Sequence, residues 1–230
     1  MKTLLSAPLI AVAISFCALP VKAEGECRVR AVASQAGATP PELYVHDAAG
    51  STSAGKVMVK TFLNHQFDLL ETKGGPVVFT AKSDPASAKN EEDVIGECEL
   101  PAKAASLILF FAPESQGKPK CKVTVVDASA KAFPPGSFKV VNLSSVPVRI
   151  ELEDDKHEFK PGETKVIAKP PMGDAGAAGM KAFCERNGTW TAISSGIWPH
   201  PGEKRVLQMI TENEATKQVE IAGIRDVAKP

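Results

Sequence analysis

Apolar and polar residues alternate at period two along this 230-residue chain, and turn chemistry interrupts them about every ten residues. That pattern limits the possible folds more than any other feature. Val148, Ile150 and Leu152 alternate with Arg149, Glu151 and Glu153, and the same rhythm runs through Phe67-Asp68-Leu69 and Cys121-Lys122-Val123-Thr124-Val125. Successive strand side chains point to opposite faces, so such runs place one face in a core and the other in water. Between them stand Lys73-Gly74-Gly75-Pro76, Pro134-Pro135-Gly136 and Lys160-Pro161-Gly162-Glu163, which read as turns. Eighteen prolines discourage long helices, because proline supplies no backbone donor to a helix interior. Only residues 84–93 and 172–181 tolerate a helix, and both are loop-like in composition.

The expected fold is therefore all-β: one or two tandem antiparallel β-sandwich modules of the immunoglobulin-like kind, following a signal peptide. A weak internal repeat favours two modules. An offset of 81 lays Gly55 on Gly136, Val57 on Phe138, Val59 on Val140, Phe62 on Leu143, Phe67 on Val148 and Leu69 on Ile150. An offset of 99 lays Leu107 on Val206, Ile108 on Leu207, Phe111 on Ile210, Val125 on Ile224 and Asp127 on Asp226. The expected organisation is a signal peptide over residues 1–23, a first module over 24–130 and a second over 131–230, with the boundary within Ala128–Pro135. One continuous sandwich built from all the strands is the competing arrangement.

Lys2, the apolar stretch from Leu4 to Leu19 and the small-x-small site Val21-Lys22-Ala23 together read as a secretory signal cut before Glu24. The stretch is shorter than the roughly 20 residues needed to span a bilayer. Bulky Phe16 before Cys17 argues against lipidation there. The expected location is periplasmic or secreted, with no transmembrane segment in the mature chain. Basic and acidic residues number 27 each, and removing Lys2 and Lys22 leaves 25 against 27, so no excess positive charge draws the chain to nucleic acid. Four cysteines survive processing: Cys27, Cys98, Cys121 and Cys184. An even number in an exported chain points to disulfides, with three connectivities open.

No motif assigns a catalytic residue, a metal-ligand set or a cofactor. His46, His65, His157 and His200 lack short-range ligand or base context. Asp154-Asp155-Lys156-His157-Glu158 is the best candidate for an ion or hydrolase site, weighed against a solvated hairpin turn. Gly173 to Gly179 lacks the Lys-Ser/Thr ending of a phosphate loop, and Ser194-Ser195-Gly196 is not a nucleophile elbow. Trp190 and Trp198, read as flanking a hairpin that contains Ile193 and Ile197, are the ligand candidates, because exposed rings stack on sugars. Closing the end of a core is the other role open to them. Asn142-Leu143-Ser144 and Asn187-Gly188-Thr189 both match the glycosylation acceptor pattern.

Residues Asp127 to Leu143, with Phe133-Pro134-Pro135-Gly136-Ser137 ahead of Val141-Asn142-Leu143, are followed by Lys160-Pro161-Gly162-Glu163. Together with Ser195-Gly196-Ile197-Trp198 and Arg205-Val206-Leu207, they resemble a group of uncharacterised exported bacterial β-sandwich proteins. The resemblance covers mainly residues 105–227 and implies placement outside the inner membrane of a bacterium with an outer envelope. It carries no activity. The functional expectation is a non-enzymatic protein that binds an envelope protein or polysaccharide, or has a structural role there. The alternatives are a carbohydrate-binding module using Trp190 and Trp198, and a hydrolase using His157 with Asp154 or Asp155.

Overall fold

A computed structural model describes residues 25–37, 39–114, 119–173, 175–213 and 216–227, so the signal-peptide segment lies outside the described residues. Eight strands come first: β1 (Glu26–Ala33), β2 (Glu42–Asp47), β3 (Ser53–Lys60), β4 (Asp68–Glu71), β5 (Gly75–Thr80), β6 (Val94–Leu100), β7 (Ser106–Pro113) and β8 (Cys121–Asp127). They form one sheet in the order β3-β2-β5-β6-β8-β7-β1-β4. The second half of β1 also pairs in parallel with β3, Ala31 lying opposite Val59, which closes seven strands into a barrel. Val29, Leu43, Val57, Phe79, Leu107 and Phe111 fill its interior, with Phe79 and Phe111 edge to face at 5.1 Å. A Cβ on Gly96 would lie 2.5 Å from Val123 Cγ2, so glycine lets β6 and β8 close together.

Eight further strands follow: β9 (Phe138–Asn142), β10 (Val148–Leu152), β11 (Asp155–Phe159), β12 (Thr164–Ile167), β13 (Ala177–Arg186), β14 (Thr189–Pro199), β15 (Arg205–Glu212) and β16 (Val219–Asp226). They form two four-stranded sheets, β11-β10-β13-β14 and β12-β9-β15-β16. Phe138, Val140 and Ile210 from one sheet and Ile150, Leu152, Met180 and Trp198 from the other share a single core.

The all-β class holds, and several finer expectations change. Pairing is not purely antiparallel: β1 with β3, β1 with β7, β6 with β8 and β9 with β15 are parallel. Seven of the first eight strands close on themselves, with β4 paired to β1 as an edge, and do not stack as two sheets. Alternation says which face of a strand is buried; it does not encode the partner or its direction. Residues 84–93 contribute only a 3-10 turn at Pro85–Lys89, capped by Asp84, and residues 177–181 begin β13. Among the described residues no helix is long and apolar enough to cross a membrane.

The repeat is also redrawn. β1 runs parallel to β7, which is antiparallel to β8; β9 runs parallel to β15, which is antiparallel to β16. The offset of 99 carries β7 to β15 in register, whereas β8 maps to β16 at 98, since Asp127 faces Leu107 as Arg225 faces Val206. The strand equivalent to β9 is β1 and not β3: Val29 faces Leu107 as Phe138 faces Val206, an offset of 109. The two triplets pack back to back. Val32, Ile108, Phe110 and Val126 meet Val141, Leu207 and Met209, with Phe133 from the connecting segment between them. Residues Leu107 to Phe111 are consequently buried on both faces, one set in the barrel and the other in this junction.

Charge crosses the same junction. Arg30 of β1 donates from both terminal nitrogens to Asp226 of β16, at 2.7 and 2.9 Å, and Arg205 of β15 donates to Asp226 at 2.5 Å. Arg205 also donates to the carbonyls of Ala128 and Phe133, which fixes the connecting segment. Lys139, the residue equivalent to Arg30, is buried and donates to the carbonyls of Asp127 and Ala132. Burial pushes its pKa down, partly offset by Asp127.

No disulfide joins Cys27, Cys98, Cys121 and Cys184, against the expectation of oxidised pairs. Cys27 and Cys121 sit in the barrel core with Cys98 packed against it, whereas Cys184 lies in the core of the second unit. They fill space as small apolar side chains. Burial pushes the Cys98 thiol up to about 12.

Candidate binding face

Arg186 pairs with Thr189, leaving Asn187 and Gly188 at φ 52° and 76° as a two-residue turn with both central residues left-handed. Asn-Gly suits such a turn, whose twist matches that of the flanking strands. β14 then runs unbroken along β13 to Pro199. The hairpin expected between the two tryptophans is absent, because the ten-residue β13 supplies pairing partners through Ser194-Ser195-Gly196.

Trp190 and Trp198 are an even number of residues apart and would share one face of a regular strand. They do not. Ala182 opposes Ser194 and Phe183 opposes Ala192, so Ile193 is an extra residue in β14 and the register shifts there. This bulge turns the two ends of the strand to opposite faces. Trp198 points into the core, 6% exposed, its ring 4.8 Å from that of Phe138. Trp190 stands half-buried on the outer face. The pair therefore forms no common platform.

Trp190 instead joins a different group. From β10, the Arg149 guanidinium lies 4.6 Å from the Trp190 ring centre and 4.9 Å from that of Phe183 on β13. Arg149 pairs with Glu151 at 3.1 Å, and Glu151 with Lys156 at 3.6 Å, so an ionic row flanks the aromatic one. Beside the rings is a depression of about 380 Å³ lined by Lys181, Phe183, Ala192, Ile193, Ser194 and Ser195. An apolar floor beside the Ser195 and Lys181 side chains, which face each other across β13 and β14, can hold and orient a ligand.

The other candidates lie elsewhere. Leu152 pairs with Asp155, which leaves Glu153 and Asp154 as a tight turn with Asp154 exposed at its tip. His157 faces inward opposite Ile150, its Nε2 buried and without a hydrogen-bond partner. Burial lowers its pKa, Asp155 raises it and Lys165 lowers it further. Among the described residues no three His, Cys, Asp or Glu side chains gather as a metal site. His65 is exposed, and His200 accepts from the Gly202 amide through Nδ1.

A polar chain that sequence reasoning missed joins His46 Nε2 to Thr80 Oγ1 at 3.1 Å and Ser87 Oγ to Thr80 Oγ1 at 3.0 Å. These residues are 34 and 7 positions apart, with no local motif to reveal them. Thr80 donates to the Lys82 carbonyl at 2.7 Å, and all three side chains are buried. The chain anchors the 3-10 turn to the barrel wall. Of the two acceptor sequons, Asn142 is sealed inside, donating to the carbonyls of Val146 and Phe159, whereas Asn187 is exposed on its turn.

No protein-family model matches the chain, and a search of curated proteins finds no significant relative.

Proposed function

We propose that this chain is exported to the periplasm or secreted, and that it works there as a non-catalytic binding protein for an envelope protein or polysaccharide. In this reading the strands from β9 to β16 form an immunoglobulin-like sandwich, the barrel is its rigid support, and the contact surface is the outer face of β10, β13 and β14. One observation carries it: Trp190, Arg149 and Phe183 form an outward aromatic and cationic row beside an open depression. Rings and arginines concentrate binding energy when a partner covers them. The signal-like first 23 residues and the resemblance to exported bacterial proteins support the location.

Sugar binding is the more specific form of this proposal, and the Ser195 hydroxyl on the same face as Phe183 and Trp190 favours it. It uses Trp190 without Trp198.

Retention of the mature protein on immobilised envelope polysaccharide and on envelope protein extract tests both forms. Trp190→Ala should weaken retention at least about tenfold, equivalent to about 1.4 kcal/mol. Retention unaffected by Trp190→Ala on either matrix would overturn the assignment of this face. Competition by free sugar on the polysaccharide matrix alone selects the carbohydrate form.

A further inference from the structure

We infer that β14 is a self-pairing edge, through which two copies of this chain join their β11-β10-β13-β14 sheets into one antiparallel eight-stranded sheet. An edge strand presents unpaired amide and carbonyl groups, and proteins that keep such an edge closed place charge or proline on it. Here β4 carries Asp68 and Glu71, β11 carries Asp155, Lys156 and Glu158, β12 carries Lys165, and β16 carries Glu220 and Arg225. β14, the longest described strand, reads Thr-Trp-Thr-Ala-Ile-Ser-Ser-Gly-Ile-Trp-Pro and has no charge at all. Its one proline, Pro199, stands at the last position, so Ser194 to Trp198 carry neither charge nor proline. Its side chains Ser194, Ser195 and Ile197 are exposed, Ile197 at 71%, although Ser194 and Ser195 point to opposite faces of the sheet.

The strand's own punctuation selects a second copy as the occupant. The extra residue Ile193 ends regular geometry on one side, and Pro199, which lacks an amide hydrogen, ends it on the other. What remains is Ser194 to Trp198, five residues centred on Gly196. An antiparallel pair about a two-fold axis at Gly196 sets Ser195 opposite Ile197 of the other copy and Ser194 opposite its Trp198. No like charges meet. At the axis, where identical residues meet each other, neither chain has a Cβ, and one built on Gly196 would find nothing within 4 Å in a single chain. Because the axis is perpendicular to the sheet, both Trp190 faces lie on the same side. Dimer formation does not depend on the binding role proposed above, but it would present two copies of that face to a repetitive partner.

Sedimentation of the mature protein across a hundredfold concentration range tests this. The mass should rise from monomer to dimer, with a midpoint on the order of 10 µM as for a small interface. Ser195→Lys should hold the protein monomeric throughout with its thermal unfolding unchanged, whereas Ala222→Lys, on the exposed edge β16, and Trp190→Ala should leave the dimer intact. A wild type that stays monomeric at every concentration would overturn the proposal. So would a dimer that Ser195→Lys spares and Ala222→Lys abolishes. Loss of ligand retention in Trp190→Ala with an unchanged dimer separates this proposal from the binding role.

Discussion

Asp226→Asn should destabilise the protein by about 3–5 kcal/mol, the usual effect of removing one partner from a buried ion pair. Its side chain and those of Arg30 and Arg205 are no more than 2% exposed. Among the described residues Asp226 is the carboxylate paired with both guanidinium groups, and each arginine retains a buried Nε without a hydrogen-bond partner. Ring faces supply part of the remaining compensation, Phe67 lying 4.7 Å from Arg30 and Phe133 4.8 Å from Arg205. Burial lowers the Arg205 pKa, while attraction to Asp226 and their hydrogen bond raise it. With the carboxylate gone, two cations would face each other in an apolar junction. Urea unfolding of both proteins measures the difference. A loss below about 1 kcal/mol would place the junction's strength in its apolar contacts alone.

Trp198→Ala should cost about 3–5 kcal/mol, because it empties a large volume between the two sheets beside Phe138. Trp190→Ala should cost under about 1 kcal/mol, since the ring is half-exposed and loses chiefly its contact with Arg149. Chemical denaturation of both variants reads the contrast. Equal losses would mean that the Trp190 ring has a structural role comparable to that of Trp198.

These two tryptophans also show how much of the candidate site was legible. Their residue types gave both available roles, ligand platform and core plug, and the structure assigns the core to Trp198 alone. The deciding feature is the bulge at Ile193, which no side chain announces, since register belongs to the pair of strands and not to either one. Arg149 and Phe183 escaped notice because their partners come from neighbouring strands. The alternation of Val148, Ile150 and Leu152 correctly marked an inward face, and the turns before β9 and β12 fell where expected, whereas Gly75 and Pro76 of the turn expected at 73–76 already belong to β5. Barrel closure could not be read, because it depends on β1 pairing with strands far along the chain. The junction left one trace: the unbroken apolar run from Leu107 to Phe111, which has no polar side to give to water. Arg30 and Asp226, 196 positions apart, left none.

In the proposed binding role the outer face of β13 and β14 meets an envelope partner. A photoreactive side chain placed at Ala192, in the depression, tests it most directly in living cells, with Ala48 on the barrel as the comparison site; both positions are exposed. The expected result is a covalent adduct to an envelope component from position 192 and none from position 48. An adduct from position 48 alone, or no envelope adduct from either, would contradict the account.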